Sequence, residues 1–332
     1  MKIITLEEHF LSPAVAAASA PAARRLSPDF GAAFDHAGGL SYSPSASVLR
    51  DLGEGRLADM DAHGITMQVL SCLTTQQVPA DVAPELVRAA NDTAAAAVTD
   101  HPDRFAAFAA LPTTAPEAAA AELARCVDEL GFVGTLIHGR TDGEFLDAPR
   151  FDGILAAAAT RRVPIYLHPA VPPREISDAS YSGLPPLVTA RLQTAAWGWH
   201  LETAVHFLHL LLSGVFDRYP DLQFILGHWG EMIPFYLDRL DEALPQAITG
   251  LDREVSDYIR GNVYITPSGM FSQAQLQYCV ATLGVDRILY SVDYPLIGNE
   301  GATAFLDDAV LTDEAKHSIA HSNSERLLGL SG

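Results

Sequence analysis

The chain has 332 residues, 48% of them hydrophobic, and carries 21 basic against 41 acidic side chains, a formal net charge of -20. That balance argues against a nucleic-acid partner or recruitment to an anionic membrane surface, since both draw on clustered Lys and Arg. Three widely spaced cysteines, Cys72, Cys126 and Cys279, offer neither a paired disulfide framework nor a thiolate zinc site; with an opening MKIITLEEHF that does not read as a signal peptide and no apolar run of about 18 residues, they fit a cytoplasmic protein.

In chain order, the first strand is predicted over Ile3–Phe10, an apolar run ending in two acids and a histidine. The segment Leu11–Glu54 follows, rich in Pro, Ser and Gly with Phe30, Phe34 and Tyr42, and is read as an irregular lid or interface segment. A short helix from about Leu57 leads into a strand at Ile65–Cys72. Helix Asp81–Asp100, strand Phe105–Leu111, helix Ala115–Leu130 and strand Gly134–Gly139 then alternate. Helix Pro149–Thr160 and strand Val163–Pro169 precede a second irregular stretch, Ala170–Gly198. Alternation resumes with helix Glu202–Phe216, strand Gln223–Trp229, helix Glu231–Leu244, strand Val263–Ser268, helix Ser272–Leu283 and strand Ile288–Pro295. Helices Thr312–Ala320 and Asn323–Leu328 close the chain. Near-continuous apolar strands alternating with helices indicate α/β architecture with strands buried on both faces. Eight such units favour one (β/α)8 TIM barrel spanning residues 1–332, a fold that takes about 250 residues before insertions.

In a barrel the C-terminal strand ends converge on the active site, so the polar residues there carry the information. Strand one ends in Glu7-Glu8-His9, strand five in His168-Pro169, strand six in Gly227-His228-Trp229-Gly230-Glu231, and strand eight in Asp293-Tyr294-Pro295. Glu7 and His9 are two apart and face one side of a strand, leaving Glu8 toward the helices. With His168 and Asp293 they form two imidazoles and two carboxylates, a donor set for Zn, Mn or Fe(II) rather than Mg or Ca. The only two lysines, Lys2 and Lys316, lie away from strand four. No carboxylated lysine can therefore bridge a second ion, and one divalent metal per chain is expected. His228 is read as an acid/base or substrate-polarising group oriented by Glu231. His138, at the end of strand four, is a candidate substrate contact. Phe10, Trp197, Trp199 and Tyr294 are aromatics of the same face that can pack a planar substrate. His200, His206 and His209 fall on or beside one helix and read as structural.

The segments LEEHF, RLADMDAHGITMQVLS, GFVGTLIHGRTDGEFLD, YLHPAVPP, GHWGEMIPFYLDRLD, YIRGNVYITPSG and LYSVDYP resemble the amidohydrolase-related metal-dependent decarboxylases. That family includes gamma-resorcylate, 2,3-dihydroxybenzoate, 5-carboxyvanillate and aminocarboxymuconate-semialdehyde decarboxylases. The E-x-H of LEEHF stands where the hydrolytic relatives have H-x-H. The resemblance implies Zn2+ or Mn2+ on Glu7, His9, His168 and Asp293, with Asp293 as proton donor and His228 beside the substrate. It implies a small carboxylic acid substrate and a homodimer or homotetramer, with Arg239 near the site or the subunit interface. Leu296 follows DYP where gamma-resorcylate-type enzymes tend to carry a Phe that packs on the ring, so this position bears on specificity. The expected reaction is non-oxidative decarboxylation of a hydroxylated aromatic or enol-type acid. The alternative is hydrolysis of a lactone or amide by metal-activated water.

Overall fold

The structure is a computed structural model and describes residues 1–28 and 44–330. Phe30, Phe34 and Tyr42 lie outside the described residues. Among the described residues there are seven short parallel strands: β1 (Ile4–Phe10), β2 (Met67–Cys72), β3 (Phe105–Ala107), β4 (Thr135–His138), β5 (Ile165–His168), β6 (Phe224–Leu226) and β7 (Val263–Ile265). They pair as two sheets in the orders β1-β2-β3 and β4-β5-β6-β7. Single bridges close the ring: Ala109 to Thr135 joins β3 to β4, while Ile265 to Ile288 and Leu6 to Ser291 carry the eighth position between β7 and β1.

The predicted eighth strand, Ile288–Pro295, is thus reduced to two bridges. Glu8 supplies the reason. Its carboxylate accepts the backbone N–H groups of Val292 and Tyr294, both at 3.0 Å, so these donors are satisfied by a side chain rather than a ladder.

Two apolar layers follow from strand alternation. Ile4, Leu6, Met67, Val69, Ala106, Phe108, Leu136, Tyr166, Ile225, Tyr264 and Leu289 pack together as the barrel interior. The larger cluster joins the outward strand faces to the surrounding helices and includes Phe10, Cys72, Ile137, Leu167 and Leu226. Counted from Ile4 and Leu6, simple alternation on β1 would send Glu8 and Phe10 inward. A bulge prevents it: the register with β2 slips between Thr5 and Glu8, and Glu7 adopts φ 72°. The extra residue swaps the faces. Glu7 and His9 turn into the barrel, and Phe10, 3% exposed, turns into the helical layer. Phe10 is therefore a packing residue here, away from the barrel mouth.

Both segments read as irregular contain helices. Pro13–Leu26 is helical; Pro13 sits in the first turn, where a missing N–H costs nothing, and alanines, the best helix formers, follow. Ala46–Arg50 is a further short helix, capped by Ser45 accepting from Val48 N. The second stretch folds as helices Arg174–Tyr181 and Pro186–Leu192. The two insertions meet where Gln193 Nε2 donates to Ser27 Oγ at 3.0 Å. The helix expected from Glu231 begins only at Leu237, after a left-handed turn and a 3-10 turn over Ile233–Tyr236.

Outside the barrel, helices Ala83–Asp100 and Pro116–Asp128 are tied by Glu122. Its carboxylate accepts from Asn91 Nδ2 at 2.8 Å and from Arg125 Nε and Nη2 at 2.9 and 2.6 Å. Burial alone would raise its pKa, but the bonds from Arg125 and Asn91 outweigh it and hold the carboxyl below its ordinary value. A group with a depressed folded pKa contributes stability above its unfolded value, lost as pH falls through the folded one. Glu122→Gln should therefore lower unfolding free energy at pH 7 by about 1–3 kcal/mol. The difference from wild type should shrink below pH 4.5, measured by urea denaturation at a series of pH values; a pH-independent difference would contradict this account.

Candidate metal centre and active site

Continuing the inward alternation past the apolar interior places Ser71, His138, His168, Ser268 and Asp293 in one polar layer with Glu7 and His9. Four of them converge: one ligand atom each from Glu7, His9, His168 and Asp293 lie within 4.8 Å of one another. His9 Nε2 is 3.2 Å from His168 Nε2 and 3.0 Å from an Asp293 carboxylate oxygen, and His168 Nε2 is 3.3 Å from Glu7 Oε1.

The outer atoms of these residues are fixed in ways that aim the inner atoms at the centre. His168 Nδ1 faces the Pro169 carbonyl at 2.8 Å; a carbonyl only accepts, so Nδ1 carries the proton and Nε2 keeps its lone pair. Burial, then the neighbouring His138 and His9, hold the His168 pKa well below its ordinary value, so the ring is neutral. His9 Nδ1 meets Ser71 Oγ at 2.8 Å. Glu7 Oε2 accepts from Tyr166 Oη at 2.5 Å, from Ser291 Oγ at 3.2 Å and from Ser268 Oγ. Glu7 Oε1 and Asp293 Oδ1 are buried and accept no hydrogen bond. Two imidazole nitrogens and two carboxylate oxygens that accept no hydrogen bond, all facing one point, form a site that a single cation fits. Burial, partly opposed by His228, pushes the Glu7 pKa up to about 7, as expected of a carboxylate placed to receive a positive charge.

Gly227 completes the cradle. A Cβ there would lie 2.6 Å from Ser268 Oγ, 2.9 Å from Tyr166 Oη and 3.1 Å from Glu7 Oε1. No side chain fits between β6 and the hydroxyls that hold Glu7.

Beyond β6 the chain enters a turn in which His228, Trp229, Gly230, Glu231 and Met232 all have positive φ. Such a turn costs roughly 1–2 kcal/mol for each non-glycine residue and brings the imidazole and carboxylate three residues apart into contact. His228 Nδ1 is 2.9 Å from Glu231 Oε1. Burial lowers the His228 pKa, but the Glu231 and Glu7 carboxylates more than reverse this and raise it to about 9. Burial raises that of Glu231, outweighed by His228 and His200, which hold it below its ordinary value. These opposed shifts favour a charged His228–Glu231 pair.

His138 stands in the same layer, its ring 4.7 Å from that of His168, where burial and His9 push its pKa down to about 3. Leu296 is half-buried in the turn after Asp293. Arg239 is not brought to the site within the chain. It is 70% exposed and pairs with Glu242 at 3.0 Å on its own helix, because the 3-10 turn after Met232 carries that helix outward.

Several residues went unnoticed in the sequence. Tyr166 and Ser268 could have been found as inward positions two residues from His168 and Thr266. Arg56 is wholly buried and donates to the His9 carbonyl, to Gln68 Oε1 at 3.2 Å and to the Asp51 carbonyl at 2.8 Å. His200, read from the sequence as structural, reaches Glu231 from outside the barrel.

Comparison with known proteins agrees with this arrangement. The amidohydrolase family pattern matches residues 45–330. The decarboxylase orsB of Emericella nidulans is 37% identical over 98% of this chain and 96% of its own. A gamma-resorcylate decarboxylase of Rhodococcus jostii is 35% identical over 98% of both chains. Among solved structures, a dihydroxybenzoic acid decarboxylase from Polaromonas, with bound manganese and the inhibitor 2-nitroresorcinol, superimposes with a TM-score of 0.84 at 33% identity, covering 99% of this chain and 97% of that one. The barrel, the buried donor set and these likenesses agree, and the chain belongs to the amidohydrolase-related family of metal-dependent decarboxylases.

Proposed function

We propose that this protein is a metal-dependent, non-oxidative decarboxylase of a hydroxylated aromatic carboxylic acid, with Glu7, His9, His168 and Asp293 holding one divalent ion. The observation that carries this is the convergence of one ligand atom each from two imidazoles and two carboxylates within 4.8 Å, beside the hydrogen-bonded His228–Glu231 pair. The named activities of the relatives support it, and the manganese in the Polaromonas structure supports Mn2+; the donor set equally suits Zn2+. When bound, the ion supplies a Lewis acid that offsets the charge of a substrate carrying a carboxylate and an ortho hydroxyl.

The chain's own groups manage the proton. Asp293, the partly exposed member of the ligand set, is the donor to the ring carbon that bears the carboxylate, with His228 assisting and Glu231 holding its Nδ1. The carbon–carbon bond then breaks, its electron pair restores the aromatic ring, and carbon dioxide leaves. His138 and Leu296 are the proposed substrate contacts. The hydrolase alternative needs His228 as a base; the named decarboxylase activities of the relatives favour the first reading.

A homo-oligomer is proposed as well. Leu201 and Val205, one turn apart on helix Gly198–Leu212, are 41% and 36% exposed, and Trp197, just before that helix, is 46% exposed. Phe235 and Tyr236 are also exposed, close in sequence to Arg239, which supports an interface role for that arginine. The three cysteines are free and buried, which supports a cytoplasmic setting.

Mass spectrometry of protein purified without chelator should find about one Mn or Zn per chain, and His168→Ala should bring it close to zero; an unchanged content would remove the ligand assignment. With 2,6-dihydroxybenzoate as probe, wild type should release carbon dioxide. His228→Asn should keep its metal and lose about 10²–10⁴-fold in kcat; full turnover would exclude His228 from the proton transfer. A new carboxylate formed from lactone or amide probes, without carbon dioxide, would establish the hydrolase. By light scattering wild type should be a dimer or tetramer, and the double variant Leu201→Asp, Val205→Asp a monomer; a monomeric wild type would refute the interface.

A further inference from the structure

Among the described residues, Glu231 is the carboxylate near the site that is engaged on both oxygens by imidazole. Its Oε1 takes the Nδ1 of His228 at 2.9 Å, and its Oε2 takes the Nδ1 of His200 at 2.8 Å. The side chain has no solvent exposure, so no water competes for either oxygen. The rings of His200 and His228 lie 4.4 Å apart, tilted by 58°.

His200 is in turn held from outside the barrel. It sits near the start of helix Gly198–Leu212, in the second insertion's return to the barrel, and its Nε2 lies 3.0 Å from Trp199 Nε1 and 3.1 Å from the Ala195 carbonyl. The Trp199 indole N–H only donates and the Ala195 carbonyl only accepts, so the two favour opposite protonation states of Nε2; the Glu231 carboxylate only accepts, so Nδ1 carries the proton it takes in either case. Gly198, at the head of the helix, admits no side chain: a Cβ would lie 2.4 Å from the Gln193 carbonyl. The turn that presents His200 is therefore packed tightly.

We propose that His200 is a positioning residue for the reaction: it fixes the Glu231 carboxylate so that His228 Nδ1 is held as a donor and the other ring nitrogen faces the metal layer. This rests on the decarboxylase reading of the site. A single hydrogen bond would leave the carboxylate free to rotate; two opposed N–H donors set its plane, and the His228 ring with it. His200, His228 and Glu231 also have the spacing of a metal triad, but each carboxylate oxygen already takes an N–H, so the cluster is assigned as hydrogen-bonded rather than as a second ion site.

The test compares His200→Gln, which keeps an N–H donor of similar reach, with His200→Phe, which keeps the ring volume alone. With 2,6-dihydroxybenzoate, His200→Phe should lose about 10- to 100-fold in kcat with KM little changed, and His200→Gln should recover most of it. Metal content should stay at one ion per chain in both. A readout independent of turnover is the His228 Nδ1–H in protein labelled with 15N-histidine: its exchange with water should be slow in wild type and His200→Gln and at least tenfold faster in His200→Phe. Equal losses in both variants with an unchanged His228 proton would make His200 a packing residue. A second metal equivalent in wild type, lost in either variant, would make the cluster an ion site. If wild type fails to decarboxylate, the proton exchange still decides the positioning role, and only the functional reading falls.

Discussion

Glu7 is a carboxylate with no access to water at the centre of a barrel, and much of the surrounding structure answers to that burden. An ion of this kind is costly to bury unless it is bonded on every side. One oxygen is met by three hydroxyls, from Tyr166 on β5, Ser268 just beyond β7 and Ser291 at the eighth position. The other has no donor and faces the imidazoles and Asp293. Gly227 is glycine because the hydroxyl cradle leaves no volume for a Cβ. The β1 bulge exists in the same service: without it Glu7 and His9 would face the helices.

The same bulge organises the opposite face. By turning Glu8 outward it gives the eighth segment a carboxylate to bind, and Val292 and Tyr294 donate to it instead of to a neighbouring strand. Burial, opposed by those two amides, pushes the Glu8 pKa up to about 8. Arg56 lies behind β1, bonding the His9 carbonyl and stacking over Tyr294 at 4.9 Å. Strand ends one and eight are thus joined through side chains as well as backbone, and they are the two that bring Glu7, His9 and Asp293 together. Backbone strain is concentrated here too. Glu7, His228, Trp229, Glu231, Ser268 and Asp293 all have positive φ, a conformation that non-glycine residues adopt only where the surroundings enforce it.

Two proton inventories sit side by side. In the inner layer burial holds the pKa values of His138 and His168 down. The outer pair, His228 and Glu231, is ionic. The rings of His168 and His228, one from each set, lie 6.3 Å apart.

The sequence by itself determined the barrel, because eight apolar runs separated by amphipathic helices leave few other ways to bury strands on both faces. It also determined the four converging residues, since strand ends one, five and eight meet in any such closure. It reached Glu7 and His9 by alternation alone, and that alternation puts Phe10 with Glu8 on the outer face; the expectation of Phe10 at the mouth departed from it, and Phe10 lies in the helical layer. Helix Pro13–Leu26 was obscured by its flanking and internal prolines. Only the tertiary structure decided the roles of Tyr166, Ser268, Arg56, Gly227 and His200, and removed Arg239 from the site within this chain. Each of these contacts joins residues far apart along the chain, and Glu231 and His200 meet across 31 positions. Local periodicity reports which way a residue faces; what it faces depends on the closure of the barrel and on the insertions packed around its mouth.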